Sequence, residues 1–218
     1  MIKVVLFDVG GTLIHAHPSV GGIYSKVAAR HGVQAPAEIL NERFEQAWGP
    51  AKKLGSSIEK GWWRGLVQKV FEPYTIPDGE TFFDDLYDSF REPESWEIYP
   101  DVISTLDQLK EKGVRLAIAS NWDERLPPLL DALDLARHFE KKFISFDVGV
   151  AKPDRRFFQR ALDDMRSDPI ETAHVGDDPE EDIKGAESAG IRAYLINRKR
   201  KPINSRMISD LSEILLRI

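Results

Sequence analysis

The chain has 218 residues, 42% hydrophobic and 30% charged, with 15 glycines and 13 prolines scattered along it; that composition excludes a disordered or collagen-like protein and leaves one large domain or a core with an insertion. Thirty basic residues against 36 acidic ones give a formal charge of -6, so the basic surface that nucleic-acid binding requires is not expected. Cysteine is absent, which excludes disulfides, thiolate zinc sites and a thiol nucleophile and leaves covalent chemistry to oxygen, lysine or histidine.

The apolar run Val4, Val5, Leu6 and Phe7 ahead of Asp8 is too short for a signal segment or a membrane span. A cytoplasmic protein without membrane contact is expected. Segments 2–7, 114–120, 142–146, 172–176 and 191–196 are short, apolar and β-branched, and read as buried strands. About a hundred residues separate the first two, and from 17 to 94 the pattern is helical, near 22–31, 37–48, 58–72 and 79–91, with Gly32, Pro36, Gly49-Pro50 and Pro77 as separators. Its aromatics Trp48, Trp62, Trp63, Phe71, Phe82 and Phe83 either fill the core of a small bundle, the simpler reading, or line a substrate chamber. Asp101 starts a helix that stops at Gly113; Asp154 precedes another, Pro179 opens one ending near Gly190, and Asn204 or Ser205 starts the last. The basic run Arg198 to Lys201 reads as a solvated loop.

Strands alternating with helices imply a doubly wound, Rossmann-like α/β fold with a parallel sheet of about five strands. The expected division is a catalytic core of residues 1–16 and 96–218 and a helical-bundle cap of residues 17–95, the cap lying over the crevice where such sheets bind ligands.

Reactive groups collect at the carboxyl ends of the predicted strands: Asp8 and Thr12 after the first, Ser120 and Asn121 after the second, Lys152-Pro153 after the third, and Asp177, Asp178 and Asp182 after the fourth. Each alone has a structural explanation as a turn residue, a helix cap or a surface charge. On one edge they supply an anionic nucleophile, small donors, a fixed cation and carboxylates for a hard divalent metal. Phosphoryl transfer needs that set, because a carboxylate attacks phosphorus only where charge repulsion is neutralised.

In these four motifs the chain resembles the haloacid dehalogenase-like hydrolase superfamily, with a cap inserted after the first strand. The run Ser120 to Asp123 is further similar to its domain-containing protein 3 subgroup. The resemblance implies that Asp8 is the nucleophile, forming an aspartyl-phosphate, and also a metal ligand. It implies that Thr12, Ser120 and Asn121 hold the phosphoryl group and nearby backbone, and that Lys152 bridges Asp8 and the phosphate. Asp177 and the Gly10 carbonyl complete a Mg2+ site, Asp182 orients Lys152 or a metal-bound water, and Asp178 is an alternative metal ligand. The implied substrate is a small phosphorylated molecule.

One departure stands out. Phosphatases of the superfamily carry a second Asp two residues after the nucleophile as general acid and base, and this chain has Gly10. Proton transfer is worth roughly 10²–10⁴-fold in rate, so activity is expected to be reduced or narrowed towards good leaving groups. His15 and His17 are candidate replacements, with a linker role the simpler reading. Alternatives on the same scaffold are a dehalogenase, which the acidic cluster opposes, and a phosphonatase, which needs a cap lysine; Lys26, Lys52, Lys53, Lys60 and Lys69 are available by type. A non-catalytic module binding Mg2+ and a phosphorylated ligand is the remaining reading.

Overall fold

Every strand expected from the apolar segments forms, and the alternation of strand and helix gives them one parallel sheet. The computed structural model describes residues 1–53 and 59–218, with only the backbone of Lys53. Its main sheet has six strands: β1 (Val4–Phe7), β4 (Arg115–Ser120), β5 (Lys141–Ile144), β6 (Thr172–Gly176), β7 (Arg192–Ile196) and β8 (Met207–Ile208). They pair in the order β5-β4-β1-β6-β7-β8. Neighbours run parallel, with Leu6 opposite Ala117 on one side and His174 on the other. All four residues of β1 are buried, as a central parallel strand covered on both faces requires.

Helices α5 (Val102–Glu111), α7 (Ser145–Val148), α8 (Arg155–Met165) and α9 (Gly185–Ser188) connect these strands. In α8 the Asp154 carboxylate accepts the Arg156 N–H at 2.8 Å, and Phe157, Phe158, Ala161, Leu162 and Met165 form the buried stripe. That stripe packs with Leu6, Ala117 and Ala119 of the sheet. At about 25 cal/mol per Å2 of apolar surface, burying a Phe or Leu contributes roughly 1.5–3 kcal/mol, so this one face outweighs the helix's intrinsic propensity.

The chain divides into two units: residues 1–14, 98–122 and 133–218 carry the sheet, and residues 15–97 with 123–132 carry the helices. The second unit contains α1 (Val20–Arg30), α2 (Ala37–Lys53), α3 (Lys60–Val70), α4 (Gly79–Ser89) and α6 (Leu126–Ala132). Its core joins Tyr24, Val27, Leu40, Val67, Phe71, Phe82 and Phe83, and Tyr24 stacks on Phe71 at 5.7 Å. Trp48, Trp62 and Trp63 are half-buried and pack on one another. Residues 123–132 join this unit through a buried ion pair: Arg125 donates to both oxygens of Asp123, at 2.8 and 2.6 Å, and to the Tyr87 carbonyl at 3.1 Å. The Trp63 indole N–H adds a bond to Asp123 at 3.1 Å.

Several expectations need correction. Gly49-Pro50 does not separate helices, since Pro50 lies inside the last turn of α2; it forfeits one backbone hydrogen bond there, and tertiary packing of the helix outweighs that loss. The start of the next helix at Ile58 falls outside the described residues. The segment expected as a strand over 142–146 becomes helix α7 from Ser145. The sheet gains β8, a two-residue strand too short for periodicity to reveal, and a ribbon of β2 (Ile14–Ala16) with β3 (Trp96–Ile98) flanks the insertion. The last helical segment, a 3-10 stretch at Leu211–Leu216, starts at Asp210 rather than Asn204 or Ser205, because Asp210 and Glu213 form a reciprocal capping box.

Candidate active site

Strand order reverses around β1: the chain moves to β4 and β5 on one side and returns to β6 and β7 on the other. The carboxyl ends of β4, β1 and β6 therefore lie side by side, at the place where an open parallel sheet leaves a crevice. Asp8 extends β1 by one bond, its N–H donating to Val175 at 2.9 Å, and the chain then turns tightly, with Leu13 and Ile14 both donating to the Val9 carbonyl. Gly11 makes the turn possible. Its φ is +75°, a conformation that favours glycine, and a Cβ there would fall 2.3 Å from Asp177 Oδ2, so the Asp177 carboxylate would have to move aside.

Asp8 is buried, its side chain 10% exposed. Its Oδ1 accepts Ser120 Oγ at 2.9 Å and Lys152 Nζ at 2.8 Å, while Oδ2 has a long contact of 3.4 Å from Thr12 Oγ1. Lys152 Nζ also donates to Asp182 Oδ1 at 2.5 Å. Asn121 braces this lysine: its side chain donates to the Lys152 carbonyl and accepts the Lys152 N–H, both at 2.8 Å. Ser120 and Asn121 thus bond Asp8 and Lys152 rather than capping a helix. Asp182 is packed so closely on Gly176 that a Cβ there would lie 2.1 Å from its carboxyl carbon.

Burial by itself would lower the Lys152 pKa, but the Asp182 and Asp8 carboxylates more than offset it and hold the ammonium charged well above the ordinary lysine range. Burial would likewise raise Asp182, and Lys152 with His174 holds it well below the carboxylate range. The result is a fixed buried cation shared by two carboxylates, with its charge state independent of pH through the neutral region.

Asp8, Asp177 and Asp182 offer carboxylate oxygens that lie within 4.8 Å of one another. Asp182 Oδ1 is occupied by Lys152 and His174, and Oδ2 accepts the Asp178 N–H at 3.0 Å, so Asp8 and exposed Asp177 are the carboxylates placed for a cation. Oxygen donors of this kind suit Mg2+ or another hard divalent ion. Asp178 instead caps the following helical segment, where its Oδ1 accepts the N–H groups of Glu180 and Glu181 at 2.8 and 2.9 Å. His15 and His17 belong to the helical unit, where Glu97 faces both, at 3.5 and 3.0 Å.

Two site residues are missed by reasoning from sequence. Fully buried His174 meets Asp182 Oδ1 through Nε2 at 2.8 Å; the signal available was a histidine inside an apolar strand, which is costly unless partnered. Arg198 was expected to be solvated, and the structure corrects this. Its guanidinium contacts both Asp101 oxygens, at 3.0 and 2.8 Å, donates to the Thr12 carbonyl at 2.7 Å, and lies 3.7 Å from the Tyr99 ring centroid. Asp101, placed as an N-cap, instead gives its carboxylate to Arg198 and to the Leu211 N–H at 2.5 Å. Nothing in a run of four basic residues distinguishes the one that is drawn inward.

The family model described as haloacid dehalogenase-like hydrolase matches residues 2–190, the strand-end residues of the site included, and the chain belongs to that family of hydrolases. More narrowly, it groups with haloacid dehalogenase-like hydrolase domain-containing protein 3. The Bos taurus protein of that name is 31% identical over 205 residues, covering 89% of this chain and 82% of its own. Phosphoserine phosphatase of Thermus thermophilus is 29% identical over 238 residues, covering 96% and 94%. A crystal structure described as a dehalogenase superposes with a TM-score of 0.77 at 25% identity, over 100% of this chain and 97% of that one.

Proposed function

We propose that the protein is a Mg2+-dependent phosphatase acting on a small phosphorylated metabolite through an aspartyl-phosphate on Asp8. The observation that carries this reading is the Lys152 ammonium held between Asp8 and Asp182 at 2.8 and 2.5 Å. A buried cation against the nucleophile is what an anionic substrate needs in order to approach a carboxylate. Similarity to a phosphoserine phosphatase supports the same reading.

In this reading Oδ2 of Asp8 attacks phosphorus, the bond to the leaving oxygen breaks, and the electron pair departs with that oxygen. Water then attacks the aspartyl-phosphate, releasing inorganic phosphate, restoring the carboxylate and yielding a proton to solvent. Ser120 and Thr12 orient the Asp8 carboxylate, Asn121 holds Lys152 in place, and Lys152 neutralises charge on the phosphoryl oxygens. Asp8, Asp177 and the Gly10 carbonyl are the proposed ligands of Mg2+, which when bound supplies further positive charge to the phosphoryl group. With glycine at position 10, no side chain there donates a proton to the leaving group. Activity is therefore narrowed to substrates whose leaving group needs little protonation. The helical unit is proposed to serve as the cap that selects substrate, and the protein to act in the cytoplasm.

Among the described residues, no side chain favours the rival chemistries over this one. Exposed Asp177 would repel the carboxylate of a haloacid. Of the lysines available for a Schiff base, Lys26, Lys60 and Lys69 are exposed, and Lys52 lies over the Trp48 ring at 5.4 Å; the Lys53 side chain lies outside the described residues. The test is an assay with Mg2+ against acetyl phosphate, phenyl phosphate, sugar phosphates, phosphonoacetaldehyde and a 2-haloacid. Turnover of the first two, abolished by Asp8→Asn and by chelation, is expected; turnover of the haloacid alone would replace this reading with dehalogenation.

A further inference from the structure

The buried side of Asp8 is closed by Thr12, Ser120, Lys152 and Asp182, all nearly inaccessible. Within the sheet unit the less buried rim of the site is made by half-buried Gly10, Gly11, Asn121 and Trp122 and exposed Asp177. Displacement at phosphorus runs in line, so the leaving group points away from Asp8 and out towards this rim. Among these five residues Trp122 is the large apolar one.

Its place is built rather than incidental. Trp122 N–H donates to Ser145 Oγ at 3.0 Å, and its carbonyl accepts Ser145 Oγ at 3.0 Å and Phe146 N–H at 3.3 Å. The indole edge then lies against the nucleophile turn, such that a Cβ on Gly10 would come 3.3 Å from Trp122 Cζ3. Glycine at position 10 removes a side chain and admits a flat aromatic wall in the same stroke. The carbon edge and face of that ring give a planar leaving group contact and stacking that a sugar or polyol matches less well.

We infer that Trp122 is a specificity residue and that the preferred substrate class is the aryl phosphate monoester. This rests on the phosphatase reading and deepens it. The two properties of the rim agree: the wall favours a planar group, and an aryloxide leaves with the electron pair of the broken P–O bond without first taking a proton.

The experiment compares phenyl phosphate with acetyl phosphate, which is activated but carries no ring, on the wild type, Trp122→Ala and Trp122→Phe with Mg2+. Expected is a loss of about tenfold in kcat/KM for phenyl phosphate in the alanine variant, mainly through KM, with acetyl phosphate changed less than about twofold and the phenylalanine variant within about threefold of wild type. An equal fall for both substrates, or none for either, overturns the inference. If the wild type turns over no phosphate, it is the phosphatase reading that fails. Calorimetric binding of phenylphosphonate and methylphosphonate then decides the inference separately: a preference for the aryl compound that Trp122→Ala abolishes upholds it, and equal binding overturns it.

Discussion

Lys152 illustrates how much one side chain carries at this site. Replacing it with methionine leaves Asp8 and Asp182 buried and facing each other without their cation. Breaking a buried pair in this way costs about 3–5 kcal/mol, so Lys152→Met is expected to lose turnover and to shift the urea midpoint strongly. Gly10 gives a subtler case. Supplying the missing acid by Gly10→Asp pushes a Cβ to 3.3 Å from the Trp122 ring, so its gain on alkyl phosphates should be small alone. It should be larger when combined with Trp122→Ala, a non-additivity that rates of the two single variants and the double variant measure directly. The motif residues were legible because their types and strand-end positions carry the chemistry. Trp122 lies in the run from Ser120 to Asp123, but its place at the site was not legible, since which ring faces which turn is not written in spacing.

Between elements, the joint made by Arg198 and Asp101 ties three separate segments together. The turn after β1 contributes the Thr12 carbonyl, the start of α5 contributes Asp101, and the 3-10 segment contributes the Leu211 N–H. Burial alone would raise Asp101, but hydrogen bonds from Arg198 and Leu211 hold its carboxyl below the usual range. Arg198→Met removes the donor to Thr12 while keeping an apolar stem over Tyr99. It is expected to destabilise the protein by about 2–4 kcal/mol, allowing for the partial exposure of the pair, and to lower kcat more than it raises KM, because the Thr12 turn loosens without any direct contact with substrate being lost. Steady-state kinetics beside denaturant titration separates the two effects. The strands and the long helices were readable from periodicity at this scale; β8, α7 and the capping box at Asp210 were not, because each is shorter than the window over which a period can be recognised.

For the molecule as a whole, the buried cluster sets a pH window. Asp182 is depressed, so its contribution to stability is complete above the ordinary carboxylate pKa of about 3.9 and is lost as pH falls through the depressed value. Lys152 is raised, so its contribution is complete below about 10.4 and is lost as pH rises through the raised value. The stability difference between the wild type and Asp182→Asn should therefore be flat from about pH 5 to 9 and shrink in strong acid, as urea titrations across that range would show. Mg2+ should also stabilise the sheet unit, by about 2.7 kcal/mol at a hundredfold excess over Kd, and Asp177→Ala should abolish that rise in melting temperature. No helix among the described residues is long and apolar enough to cross a membrane. The sequence by itself determined the alternation that makes a parallel sheet, the long helical insertion, and the reactive residue types at strand ends, because periodicity and turn chemistry are local. Only the tertiary structure decided that Asp178 caps a helical segment, that His174 shares Asp182 with Lys152, that Arg198 turns inward and that Trp122 lies on Gly10, because each depends on groups brought together from distant segments or on the direction in which a side chain packs.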